Sequence, residues 1–170
     1  MLQSRLNAFE TNSSSIHTFC IKEGFKPDTN ENSVLSATLQ QYGWEHSSYT
    51  SSWFIDYCWT AILDYYNVLK YADDIETAKQ KIKEYQDKIE AILKPCNIEV
   101  KWFYETEDGD RYYVDHADKF LPILDELLDN PELFISACLC EESCFYTAND
   151  NEDFYTPEKQ EGFRIYVKRN

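Results

Sequence analysis

No stretch of this chain approaches the ~20 consecutive apolar residues of a membrane span, and its first residues hold no continuous apolar signal core. The expectation is a protein that stays off the membrane and inside the cell that makes it. Basic residues are scarce, with 16 Lys and Arg against 31 Asp and Glu for a net charge of −15, and they form no local basic patch. Direct nucleic-acid binding is thereby disfavoured, because affinity for a phosphate backbone comes from clustered Lys and Arg. Also lacking are internal repeats and long heptads, which places a structural or virion role last. There are no paired Cys-x-x-Cys knuckles and no His-x-x-x-His. Residues Asn149 to Asp153 alternate oxygen-bearing side chains but lack the Gly and closing Glu of an EF-hand.

What is present describes a folded molecule. A chain of 170 residues is the size of one domain and can bury roughly 70% of the surface its unfolded form exposes. It is 43% hydrophobic, with 13 Tyr, 10 Phe and 4 Trp, which takes it out of the disordered class despite its charge. Six cysteines without a secretory signal read as reduced thiols. Cys138, Cys140 and Cys144 raise a zinc site, but a fourth ligand is missing, and their aromatic and aliphatic neighbours make them small core residues. No metal or other cofactor follows from the sequence.

The periodicities predict an α+β domain over 1–170, a mostly antiparallel sheet packed with a helical hairpin and further short helices. Ser15–Lys22 alternates as a strand with two covered faces. Ser33 to Gln41 reads as a short helix capped at Asn32 or Ser33. A helix from Ser51 or Ser52 to about Tyr71 carries apolar residues at steps of three and four, and a second runs from a cap at Asp73 or Asp74 to the stop at Pro95. Residues 98–104 and 111–115 flank the turn signal Glu107-Asp-Gly-Asp110 as a β-hairpin. Asp118 to Leu128 is amphipathic, Asn130-Pro131 restarts a helix with Asn as cap, and short strands at 144–147 and 163–168 close the chain. Trp44 and Tyr49, outside the helical periodicity, are candidate interface aromatics.

The least ordinary stretch is Phe9 to His17, FETNSSSIH. Five residues that pack no core precede a strand and offer hydroxyls and an amide to a ligand or anion; the alternative is a solvated turn whose side chains cap backbone groups. This stretch resembles the opening signature FETNSSSSH of a family of bacterial and bacteriophage proteins without an agreed activity, with Ile16 where the fourth Ser stands. Tyr113-Val-Asp-His116 looks like that family's Asp-His element. Tyr146-Thr-Ala-Asn-Asp-Asn151 is similar to its TGNDN element, with Ala148 in place of Gly. The resemblance implies a bacterial or phage origin. Should the three elements meet, His17, His116, Asp115 and Glu10 would be the acid–base or metal-ligand groups, and Asn12, Ser13, Asn149, Asp150 and Asn151 the ligand-binding ones.

Charge distribution points elsewhere. Glu105 to Glu161 holds 17 acidic residues against Arg111, Lys119 and Lys159, so nearly all of the net charge lies there. A field of that sign attracts basic surfaces. The first expectation is a phage-type inhibitor that binds a basic protein, a host or defence nucleic-acid-handling effector, by occupying its groove as a nucleic-acid mimic in an anti-CRISPR-like manner. Glu105, Glu107, Asp108, Asp110, Asp125, Asp129, Glu141, Glu142, Asp150, Glu152 and Asp153 would form one anionic surface. The competing expectation is a nucleotide-binding or metal-dependent hydrolytic enzyme built on the three polar elements. Whether the chain is an enzyme stays open at this level.

Overall fold

The computed structural model describes residues 15–43, 45–68, 75–106, 109–149 and 161–168. It is an α+β fold whose main sheet is four-stranded and antiparallel in the order β4-β7-β1-β8. Strand β1 (Ser15–Lys22) lies between β7 (Cys144–Asn149) and β8 (Phe163–Lys168), and β4 (Ser47–Thr50) closes the far side of β7. Directly opposed residues share a face. On one face of β1, Ser15, His17, Phe19 and Ile21 are all buried. Phe19 contacts the rings of Phe54 and Tyr57 from α1 (Phe54–Val68) and of Phe120 from α3 (Ala117–Leu128).

Helix α1 follows a 3-10 turn at Ser51–Trp53 and packs on α2 (Ile75–Leu93), and Lys94–Cys96 ends α2 in a further 3-10 turn. The residues between the two helices, with Asp73 and Asp74, lie outside the described residues. Helix α4 (Pro131–Leu139) opens as its sequence dictates, with Pro at its first position and the Asn130 side chain accepting from the Leu133 N–H.

Two local expectations are corrected. Ser33–Ala37 is a strand, β2, paired in parallel with β5 (Ile98–Trp102), so no helix forms there. The expected hairpin is also absent. β5 and β6 (Tyr113–Val114) do not pair with each other, because β6 runs parallel to β3 (Gln41–Tyr42). The cause lies on α1. Asp56, Thr60 and Asp64 stand four residues apart on one side of that helix, and each accepts a main-chain N–H: Asp56 Oδ1 from Thr38 at 2.6 Å, Thr60 Oγ1 from Gln40 at 3.1 Å, Asp64 Oδ2 from Val114 at 3.2 Å. These bonds hold the β2–β3 segment and β6 against the helix, giving their donors partners that a local helix or hairpin would otherwise have supplied. Burial pushes the Asp56 carboxyl up to about 6, against the opposing pull of the Thr38 donor.

Candidate functional site

The first half of β1 is buried and polar. His17 faces Thr147 of β7 on one side and Lys168 of β8 on the other, and all three are about 1% exposed or less. The His17 Nε2 lies 3.2 Å from the Gly43 carbonyl, which can only accept, so Nε2 carries the proton. Nδ1 is then the acceptor for the Tyr57 hydroxyl at 2.5 Å. Burial first, and the neighbouring Lys168 second, drive the imidazole well below its usual range, so it is neutral near pH 7. A neutral ring with both nitrogens engaged orients its neighbours and has no lone pair left for a metal.

Lys168 ties the elements together. Its ammonium donates to Ser15 Oγ at 3.2 Å and to the Asp115 carbonyl oxygen. Burial lowers it to about 8, while the carboxylates of Asp115 and Asp118 pull the other way. Ser15 in turn pairs in register with Asn149. One cation thus connects the end of the first signature element, the Asp-His element and the strand that carries the third. Asp115 Oδ2 is buried with no hydrogen-bond partner among the described residues. Oδ1 of the same carboxylate lies 3.7 Å from His116 Nε2, and the His116 side chain is 43% exposed. His116 has φ +52°, a left-handed conformation that costs a non-glycine residue roughly 1 kcal/mol or more and recurs at functional positions. Although it precedes α3, its imidazole caps no backbone N–H.

Gly43 completes the frame. A Cβ there would sit 2.8 Å from the Tyr113 hydroxyl, so the absence of a side chain lets the phenol lie against the strand whose carbonyl holds His17. The Asp115 N–H donates to the Tyr42 carbonyl at 2.9 Å, fixing the Asp-His turn beside Gly43.

Of the expected site residues, the structure brings His17, Asp115 and the backbone of Asn149 to one place and puts His116 next to Asp115. Glu10, Asn12, Ser13, Asp150 and Asn151 lie outside the described residues. Lys168, Tyr57, Thr147 and Gly43 were missed. Tyr57 falls on the apolar side of a core helix, and Lys168 alternates with Phe163, Ile165 and Val167, which by pattern alone would take the buried face. Nothing in the spacing marked either. Tyr49, expected at an interface, instead stacks on Phe145 at 4.6 Å and 13°, while Trp44 lies outside the described residues.

Among the described residues the expected anionic surface is divided. Glu105 and Asp110 line a cleft of about 650 Å³ that also holds Arg111, and Asp125 and Asp129 line a groove with Lys81 and Lys88 of α2. Glu141 and Glu142 occupy the turn after α4, with Glu142 paired to Lys22 at 3.0 Å. Thus a basic residue accompanies each of these three groups. Glu107, Asp108, Glu152 and Asp153 lie outside the described residues. Among the described residues no group of three or more His, Cys, Asp or Glu is arranged to hold a metal ion, and no helix is long and apolar enough to cross a membrane. Cys138 and Cys140 are buried core thiols. No family model, curated protein or solved structure matches the chain.

Proposed function

We propose that the chain binds a phosphate-bearing small molecule of the nucleotide class and hydrolyses its phosphoester at the meeting point of β1, the Asp115-His116 turn and β8. The observation that carries this reading is the Lys168 ammonium, buried and bonded at once to Ser15 and to the Asp115 main chain. Taking an ammonium out of water costs several kcal/mol, and a charge kept there meets a purpose that an apolar residue would not. Lys168 supplies countercharge to the phosphate, and the Ser15 hydroxyl supplies a donor. Asp115 and the half-exposed His116 form the acid–base couple, Asp115 Oδ2 being buried without a partner among the described residues. His17 and Tyr57 position these groups.

Turnover of a panel of nucleoside phosphates and of bis(p-nitrophenyl) phosphate, with and without Mg²⁺ or Mn²⁺, tests the reading. Replacing His116 by Ala or Asp115 by Asn should lower kcat by about 100-fold or more. Lys168→Met should weaken ligand binding by at least about tenfold, and it should also lower the melting temperature, since it leaves the Ser15 hydroxyl and the Asp115 carbonyl without their donor. Equal turnover in wild type, H116A and D115N at equal melting temperature would remove the reading. So would the failure of every nucleotide and metal to shift that temperature.

A second reading keeps the acid surplus in view: a phage-type inhibitor in the host cytoplasm that occupies a basic groove of a nucleic-acid-handling protein. Its support is that all six described carboxylates of the set, Glu105, Asp110, Asp125, Asp129, Glu141 and Glu142, are exposed. A complex recovered from the host that weakens steeply with salt and is displaced by nucleic acid would favour it. A salt-insensitive complex would count against it.

A further inference from the structure

The opposite face of the main sheet carries two thiols side by side. Cys20 of β1 pairs in register with Cys144 of β7. Opposed residues of an antiparallel pair have Cα atoms about 4.5 or 5.5 Å apart, according to their place in the ladder. Both values fall within the roughly 4.4–6.8 Å that a disulfide spans. The two side chains emerge on the same face, and both are free thiols. Cys20 is 6% exposed, whereas Cys144 is only partly buried. The Tyr146 hydroxyl lies 3.3 Å from the Cys144 sulfur. The other four cysteines, Cys58, Cys96, Cys138 and Cys140, are buried.

We propose that Cys144 and Cys20 are a redox pair, which a low-molecular-weight disulfide converts into a cross-strand bridge between β1 and β7. Cys144 reacts first because it is the more accessible of the two. Its thiolate attacks one sulfur of the small disulfide, whose S–S bond breaks and releases one thiolate, leaving a mixed disulfide on Cys144. Cys20 then gives up its proton and attacks the Cys144 sulfur, expelling the second thiolate. The two protein thiols lose two electrons and two protons in all, and one small disulfide becomes two thiols. A hydrogen bond from the Cys20 thiol favours the Cys144 thiolate and lowers that group to about 6, while Cys20 is raised; this division marks Cys144 as nucleophile and Cys20 as resolving thiol. None of this depends on the phosphoester reading.

The experiment is incubation of the purified, reduced full chain with oxidised glutathione, followed by intact-mass measurement and peptide mapping. The expected product is lighter by two hydrogens and maps to Cys20 joined to Cys144. Cys144→Ser should form no such bridge and should take up glutathione at least about tenfold more slowly. Cys20→Ala should stop at the mixed disulfide on Cys144. A bridge mapped to any other pair overturns the proposal, as does a wild-type chain that stays fully reduced while all six cysteines react in denaturant. A folded C20A protein with no adduct on Cys144 overturns it too. Should C20A not fold, mapping of the wild-type product still decides.

Discussion

Two neighbouring rows of the same three strands show opposite solutions to burial. Phe145, Phe19 and Tyr166 make one row, and Thr147, His17 and Lys168 make the next. Both face the helices and both are 8% exposed or less. The first row is held by its area and by ring contacts, Phe19 lying 5.2 Å from Tyr57, 5.2 Å from Phe120 and 5.7 Å from Phe145. The second row must satisfy every polar atom it buries, and it does so through Tyr57, Gly43, Glu45, Ser15 and Asp115. Tyr57 serves both, its ring packed with the aromatics and its hydroxyl donated to His17. The comparison teaches that stability alone does not account for the polar row, because apolar residues of similar volume would have served as well.

The sharpest way to break the contrast is Phe19→Ala. It should cost roughly 3–5 kcal/mol in chemical denaturation, since a cavity opens among rings that cannot collapse, and a loss under about 1 kcal/mol would show the aromatic row to be loosely packed. Tyr57→Phe keeps the ring and removes only the donor, so it should cost about 1–3 kcal/mol, the penalty of leaving His17 Nδ1 buried without a partner. The same histidine sets a pH dependence. Its imidazole is depressed in the folded state, so the unfolded chain binds a proton that the native one does not, and stability present above pH ~6.5 is lost as the pH falls below it. Asp56, raised to about 6, titrates in the same range with the opposite sign, so urea midpoints from pH 7.5 down to 5 should fall more steeply in the wild type than in His17→Asn, and equal slopes would contradict a neutral, buried His17. The smallest effect belongs to the tether on α1. Thr60→Val should cost about 1 kcal/mol by orphaning the Gln40 N–H, with faster amide hydrogen exchange confined to residues 38–42.

Much of the architecture was legible because it rests on local rules. Ser15–Lys22 and Phe163–Lys168 are the expected strands to the residue, and Asn130-Pro131 starts α4 through a cap and a preset φ. What failed depended on distant partners. Ser33–Ala37 became a strand because β5 pairs with it, while Asp56 and Thr60 take the N–H groups of Thr38 and Gln40 just beyond it. Which face of β8 is covered was likewise settled by its partners, and Tyr166 and Lys168 are its buried residues. In the candidate site, His17, Asp115 and His116 were found through the polar signatures. Lys168 and Tyr57 were not, because a lysine at a strand end and a tyrosine on a core helix carry no mark of their own.

The residues by themselves determined the class of fold, the helices and the main strands, and the three polar segments that had to be placed somewhere, since periodicity, caps and burial preference act over a few positions. Only the tertiary structure decided that Ser15 and Asp115 meet on one buried ammonium and that the six described carboxylates of the expected surface fall in three places. It also decided that two thiols 124 positions apart stand opposite one another. Such facts depend on which strand lies beside which, and that is settled by the packing of the whole chain.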